Sequence, residues 1–143
     1  MDMSLPPYTK IHIQASVGVT LEKAWAFYTE AQHITQWNFA SPDWCCPSAS
    51  NPLEVGQNFN WRMEAKDGSV GFDFEGKYTE LVYLKKIVYV LADLREVQIT
   101  FTPSAKGTSV AIDFDAENEN PLALQKSGWQ SILDQFKSYA EAP

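Results

Sequence analysis

Residues 120–142 read NPLALQKSGWQSILDQFKSYAEA. Asn120 is a candidate N-cap, and Pro121 suits the first helical position, where its missing amide costs nothing. Beyond them Leu122, Gln125, Trp129, Ile132, Leu133, Phe136 and Ala140 recur at spacings of three and four. That periodicity predicts one inward stripe on a helix of about six turns. Asp134, Lys137, Ser138 and Glu141 fall between and face water. Nothing else in the chain reads as a helix of this length, and most of the chain from Val55 to Glu117 reads as strand. A sheet wrapped around one long C-terminal helix is the expected arrangement. Gly128 sits mid-helix, where glycine costs about 1 kcal/mol against alanine. Close packing or room for a ligand beside Trp129 is the expected compensation.

Outward from this helix the chain is strand-rich. Thr108 to Ala116 turns Val110, Ile112 and Phe114 inward, and Arg95 to Thr102 does the same with Val97, Ile99 and Phe101. Ile87 to Leu91 is a short strand. Ser69 to Tyr83 is a long one carrying Val70, Phe72, Phe74 and Tyr78, with Gly76 a candidate bulge or bend. Lys66-Asp67-Gly68 marks a hairpin turn. Gln57 to Ala65 places Phe59, Trp61 and Met63 on one face. Residues 38–54 read as irregular, and Phe39 and Trp44 in that loop are expected to close over something apolar. Two short helices precede it, one from Glu30 to Trp37 and one capped by Thr20 that carries Trp25 and Tyr28. Tyr8 to Val17 alternates as a strand with one apolar face. The order is α+β.

Composition narrows the classes. The chain has 143 residues, enough for one domain spanning 1–143 with a sizeable core. Its net charge is −7 and no basic stripe is present, which speaks against nucleic acid and against anionic membranes as partners. No apolar run reaches the length of a membrane span. Met1 to Lys10 lacks the basic-then-apolar pattern of an export signal. A cytoplasmic location is expected. The two cysteines are the neighbours Cys45 and Cys46, read as reduced thiols, since a vicinal bridge is strained.

Several stretches together resemble a known family. They are Val19 to Phe27, Ile34-Thr35-Gln36-Trp37, Leu53 to Phe59, Phe72-Asp73-Phe74-Glu75-Gly76, Ile87-Val88-Tyr89, Val97 to Phe101, and Gly128-Trp129 with Leu133 and Phe136. In this order they are similar to the START-like (SRPBCC) helix-grip superfamily, and most like its AHSA-like group, the homologues of the heat-shock-protein ATPase activator. The resemblance covers Tyr8 to Ala140. It implies a hydrophobic cavity between a curved antiparallel sheet and the C-terminal helix. It leaves the activity open, since members include ligand binders, cyclases and chaperone partners.

Catalytic constellations are sparse. His12 and His33 read as surface residues, and no metal, nucleotide or nucleophile motif occurs, so no cofactor or metal is expected. The pairs Asp73/Glu75 and Asp113/Asp115 lie opposite phenylalanines and are expected to face water. Arg62 and Arg95 could reach a ligand carboxylate from a sheet edge, but both lie opposite apolar neighbours and are expected at the surface. Aromatic residues make up 13% of the chain, more than a core of this size requires. The expected ligand-binding residues are Trp37, Phe39, Trp44, Trp61, Met63, Phe72, Phe74, Tyr78, Tyr89, Phe101, Phe114, Trp129 and Leu133. The leading function is binding of a small hydrophobic or amphipathic molecule without catalysis. A cyclase or hydrolase using a cavity Tyr, Asp or Glu is the first alternative, and a chaperone-contacting protein the second. A homodimer is left open.

Overall fold

Ten elements follow from these patterns in a computed structural model that describes residues 8–143. They are β1 Lys10–Val17, α1 Leu21–Thr29, α2 Ala31–Trp37, β2 Trp44–Ser50, β3 Asn58–Ala65, β4 Gly71–Val82, β5 Lys86–Val90, β6 Glu96–Ser104, β7 Gly107–Asp115 and α3 Leu122–Glu141. The N-terminal stretch searched for an export signal falls largely outside the described residues. Among the described residues no helix is long and apolar enough to cross a membrane.

The strands form one curled antiparallel sheet in the order β1-β7-β6-β5-β4-β3-β2. Alternation does the work: Ile11 and Ile13 of β1, Val97, Ile99 and Phe101 of β6, and Val110, Ile112 and Phe114 of β7 are all buried. Against them pack Ile34 and Trp37 of α2 and Leu133, Phe136 and Ala140 of α3. This is the α+β helix-grip arrangement.

The chain order places β1 at a sheet edge, and α3 covers that edge with polar side chains. Gln130 Nε2 donates to the Gln14 carbonyl at 3.3 Å, Lys137 Nζ to the Ser16 carbonyl at 2.8 Å, and Glu141 Oε2 accepts from the Gly18 amide at 2.7 Å. Lys137 and Glu141, expected only to face water, therefore satisfy backbone groups that an edge strand leaves open.

The structure corrects several local expectations. Residues 44–50 of the supposed loop form β2, an edge strand on β3. Pro47 and small residues hid it, and an edge tolerates a proline because one side of the strand needs no partner. Its register shifts between Cys45 and Ser48, and both thiols are free. The long helix starts at Leu122 with Pro121 at the cap position and no side-chain cap. Asn120 instead donates its amide and side-chain N–H groups to Glu117. Leu122 does not join the inward stripe but lies exposed. Gly76 pairs in register with Phe59, and the irregularity of β4 falls between Tyr78 and Glu80. Asp115 is buried beside Lys10 Nζ at 2.9 Å rather than solvated.

Candidate functional site

The grip is asymmetric. The α3 backbone runs close to β1, α1 and α2, and a cavity of about 460 Å³ opens beneath the N-terminal half of α3. Its walls come from β3 and β4 (Trp61, Met63, Phe72, Phe74), from α1 and α2 (Tyr28, Trp37), from β5 (Tyr89), and from α3 (Leu124, Trp129, Ile132, Leu133). The cavity opens where side chains that line it reach solvent: Phe72 is 47% exposed and Leu124 60%.

Strand alternation explains the selection. In β3, Trp61 and Met63 share the buried face, and antiparallel pairing sets Trp61 opposite Phe74 and Met63 opposite Phe72. Trp129 comes down from α3, stacks flat on Phe114 with ring centroids 4.0 Å apart, and meets Phe74 edge-on at 6.1 Å. Gly128 lies beside it, and a side chain there would meet no atom within 4 Å. Of the two compensations expected for this glycine, close packing is overturned and open room is what the structure has.

Eight expected residues meet at this cavity: Trp37, Trp61, Met63, Phe72, Phe74, Tyr89, Trp129 and Leu133. Five do not. Phe101 packs against Trp25 and Tyr28 beneath α1. Phe114 lies behind Trp129. Tyr78 gives its hydroxyl to Asn51, whose side chain also donates to the Thr29 carbonyl at 2.6 Å. Trp44 sits on the edge strand against Phe72, and Phe39 lies half-buried away from the cavity wall. The aromatics of the supposed loop thus do not close over the cavity, because Trp44 is held on β2 and Phe39 lies away from the wall.

The polar lining was largely missed. Asn38 is buried, and its amide donates only to Met63 Sδ at 3.4 Å and Cys46 Sγ at 3.8 Å, both weak acceptors. Arg95, expected at the surface, lines the rim and is bound to Asp93 Oδ2 at 2.7 Å. Glu117 stands on the same rim; amide donation from Asn120 first, then from the Asn120 side chain and Glu119, holds its carboxyl below the usual range. Gln125 is a buried clasp: Oε1 accepts from the Glu117 amide at 2.8 Å, and Nε2 donates to the Asn120 carbonyl at 2.8 Å and the Glu117 carbonyl at 3.1 Å. The i, i+4 stripe did signal Gln125 as inward, although not its partners. Burial pushes the hydroxyls of Tyr28 and Tyr89 far up from the ordinary tyrosine value, so both stay protonated.

No cluster of three His, Cys, Asp or Glu side chains that could hold a metal occurs among the described residues. His12 pairs with Asp113 at 2.7 Å on the outer surface, and His33, half-buried, bonds the Tyr139 hydroxyl at 2.6 Å.

A family profile described as "Activator of Hsp90 ATPase homolog 1-like protein" matches residues 18–141. The chain belongs to this family. With it comes membership of the START-like helix-grip superfamily. The AHSA1-like protein from Aeromonas hydrophila, solved in solution, is 41% identical over 93% of this chain and 92% of that one, with a TM-score of 0.88. A protein from Cytophaga hutchinsonii is 42% identical over 94% and 92%, with a TM-score of 0.77. A Chromobacterium violaceum protein at 20% identity, covering 96% of this chain and all of its own (100%), shares the fold with a TM-score of 0.84. Comparison with curated proteins gives no match.

Proposed function

We propose that this AHSA1-like protein binds a small hydrophobic or amphipathic molecule in the cavity between its sheet and C-terminal helix. The cavity of about 460 Å³, walled by seven aromatic residues, carries the proposal. Its size falls among ligand pockets, which run from about 300 to 1,000 Å³. Micromolar affinity requires about 8 kcal/mol, which corresponds to removing about 330 Å² of apolar surface from water at about 25 cal/mol per Å². More must be buried to offset the lost translational freedom. Ring walls supply that surface on the protein's side. Binding is favoured over catalysis because the tyrosines in the lining are held protonated and Glu117 is held ionised by its hydrogen bonds. General acid–base work needs a group poised between those extremes. The free thiols of Cys45 and Cys46 suit a reducing compartment such as the cytoplasm.

Intrinsic fluorescence tests the proposal, because Trp61 and Trp129 line the cavity. A panel of fatty acids, sterols and flat aromatic compounds should contain at least one that shifts the emission at micromolar concentration, and Trp61→Ala or Trp129→Ala should weaken that compound without unfolding the protein. If no compound binds while the protein retains a purified Hsp90-type chaperone, the partner role carried in the family's description takes its place.

A further inference from the structure

We infer that the cavity is built for an uncharged aromatic ligand whose hydrogen-bond acceptor is taken by the hydroxyls of Tyr28 and Tyr89, and that it discriminates against carboxylates. The inference rests on the ligand-binding reading above and names the ligand class.

The tyrosines sort into two sets. Tyr8 gives its hydroxyl to the Asp93 carbonyl at 2.8 Å, Tyr78 to Asn51, and Tyr139 is bonded to His33. Tyr83 is 70% exposed and has water. Tyr28 and Tyr89 are only 7% and 2% exposed, both line the cavity, and neither hydroxyl has a hydrogen-bond partner among the described residues. Neither hydroxyl is among the buried polar atoms sealed without a partner, so each reaches open space where a ligand acceptor can bond it, and the apolar surroundings strengthen that bond. Burial favours the protonated form of both, so at neutral pH both are O–H donors, and a carbonyl or ether oxygen is a complementary group.

Charge argues against an anion. Arg95 is the cationic side chain of the lining, and its Nε is bonded to Asp93 Oδ2 at 2.7 Å, which offsets its charge. Glu117 faces the same rim and is held ionised. A ligand carboxylate entering here meets an arginine whose charge Asp93 and Glu117 already offset, and no other cation in the lining. Flat walls complete the selection. Trp129 is braced by its stack on Phe114, and Trp61 by Phe59 at 4.7 Å, so both rings are held rigid and suit an aromatic body.

Calorimetric titration of the full chain with three probes tests this. Benzophenone carries two rings and a carbonyl, diphenylmethane the rings alone, and 4-benzoylbenzoate adds a carboxylate. Benzophenone should bind about tenfold tighter than either of the others, the difference expected of one hydrogen bond to a buried donor or of one unpaired charge. In Tyr28→Phe or Tyr89→Phe, with the fold checked by circular dichroism, its advantage over diphenylmethane should fall below about threefold. The wild-type comparison decides the matter even if one variant does not fold. Equal binding of benzophenone and diphenylmethane overturns the acceptor pairing and leaves the apolar cavity standing. Equal or tighter binding of 4-benzoylbenzoate overturns the discrimination against carboxylates. If none of the three binds while a fatty acid or sterol does, the aromatic ligand class is overturned and the cavity reading stands; if those fail as well, the cavity reading falls with it.

Discussion

Glycines show at the residue scale how much a single Cβ can weigh. At Gly76 an added Cβ would lie 2.7 Å from the Phe59 ring and 3.1 Å from the Val90 carbonyl. The ring is buried under Trp61, Tyr78 and Tyr89 and has nowhere to go. Gly76→Ala should therefore cost about 1–3 kcal/mol, read from urea denaturation midpoints. Gly128 is the opposite case. With no atom within 4 Å of the added carbon, Gly128→Ala should stabilise by up to about 1 kcal/mol through helix propensity alone, raising the melting temperature. A lower melting temperature would mean that the helix packs closer to the sheet than it does here. His12 supplies a pH dependence. Its hydrogen bond to Asp113, then that to Gln14, raises its pKa above the ordinary 6.5. The stabilisation is fully present below about pH 6.5 and is lost as pH rises through the raised folded value. Both partners are about half exposed, which keeps the effect small. NMR titration should place the His12 pKa above 6.5, and Asp113→Asn should bring it down.

The start of α3 is where an element depends on one side chain. The helix has no side-chain cap, and Asn120 is occupied with Glu117. Gln125 ties residues 117–120 to the first turn through three hydrogen bonds, at 9% exposure. Gln125→Leu keeps the bulk and strips those bonds, leaving the Glu117 amide and two carbonyls to find other partners. A loss of about 1–3 kcal/mol is expected. Amide exchange should accelerate first at residues 117–125, since this segment opens before the core of the sheet. Uniform acceleration across the molecule would show instead that the clasp is part of the global core. The other end of α3 is fastened differently, by Lys137 and Glu141 on the edge of β1. The helix is thus fastened at both ends, and its N-terminal half spans the cavity.

At the scale of the molecule, a cavity of about 460 Å³ open to solvent is stability forgone, because its apolar wall atoms face water instead of protein. A ligand that binds only the folded state returns some of it. At a hundred times its Kd, a cavity ligand should stabilise by about 2.7 kcal/mol, and the melting temperature should climb with the logarithm of ligand concentration. A compound that shifts fluorescence without moving the melting temperature is bound elsewhere. The architecture was legible in the sequence wherever periodicity carried it. The 3.6-residue stripe of α3 and the alternation of β1, β3, β6 and β7 need only local spacing, and the family resemblance followed from the order of those pieces. Edge strand β2 was not legible, because Trp44 to Ser50 has no apolar alternation and its pairing to β3 is a long-range event. The site divided along the same line. Trp61, Met63 and Phe74 were recognisable because strand parity fixes their face. Phe114 has the same parity, yet Trp129 lies between it and the cavity. Tyr78 also points inward, but Asn51 takes its hydroxyl. Which inward residue touches the cavity, and which hydroxyl stays free to face it, depends on the element laid over it. Sequence spacing determines the face of each strand and helix; only tertiary packing decides what that face meets.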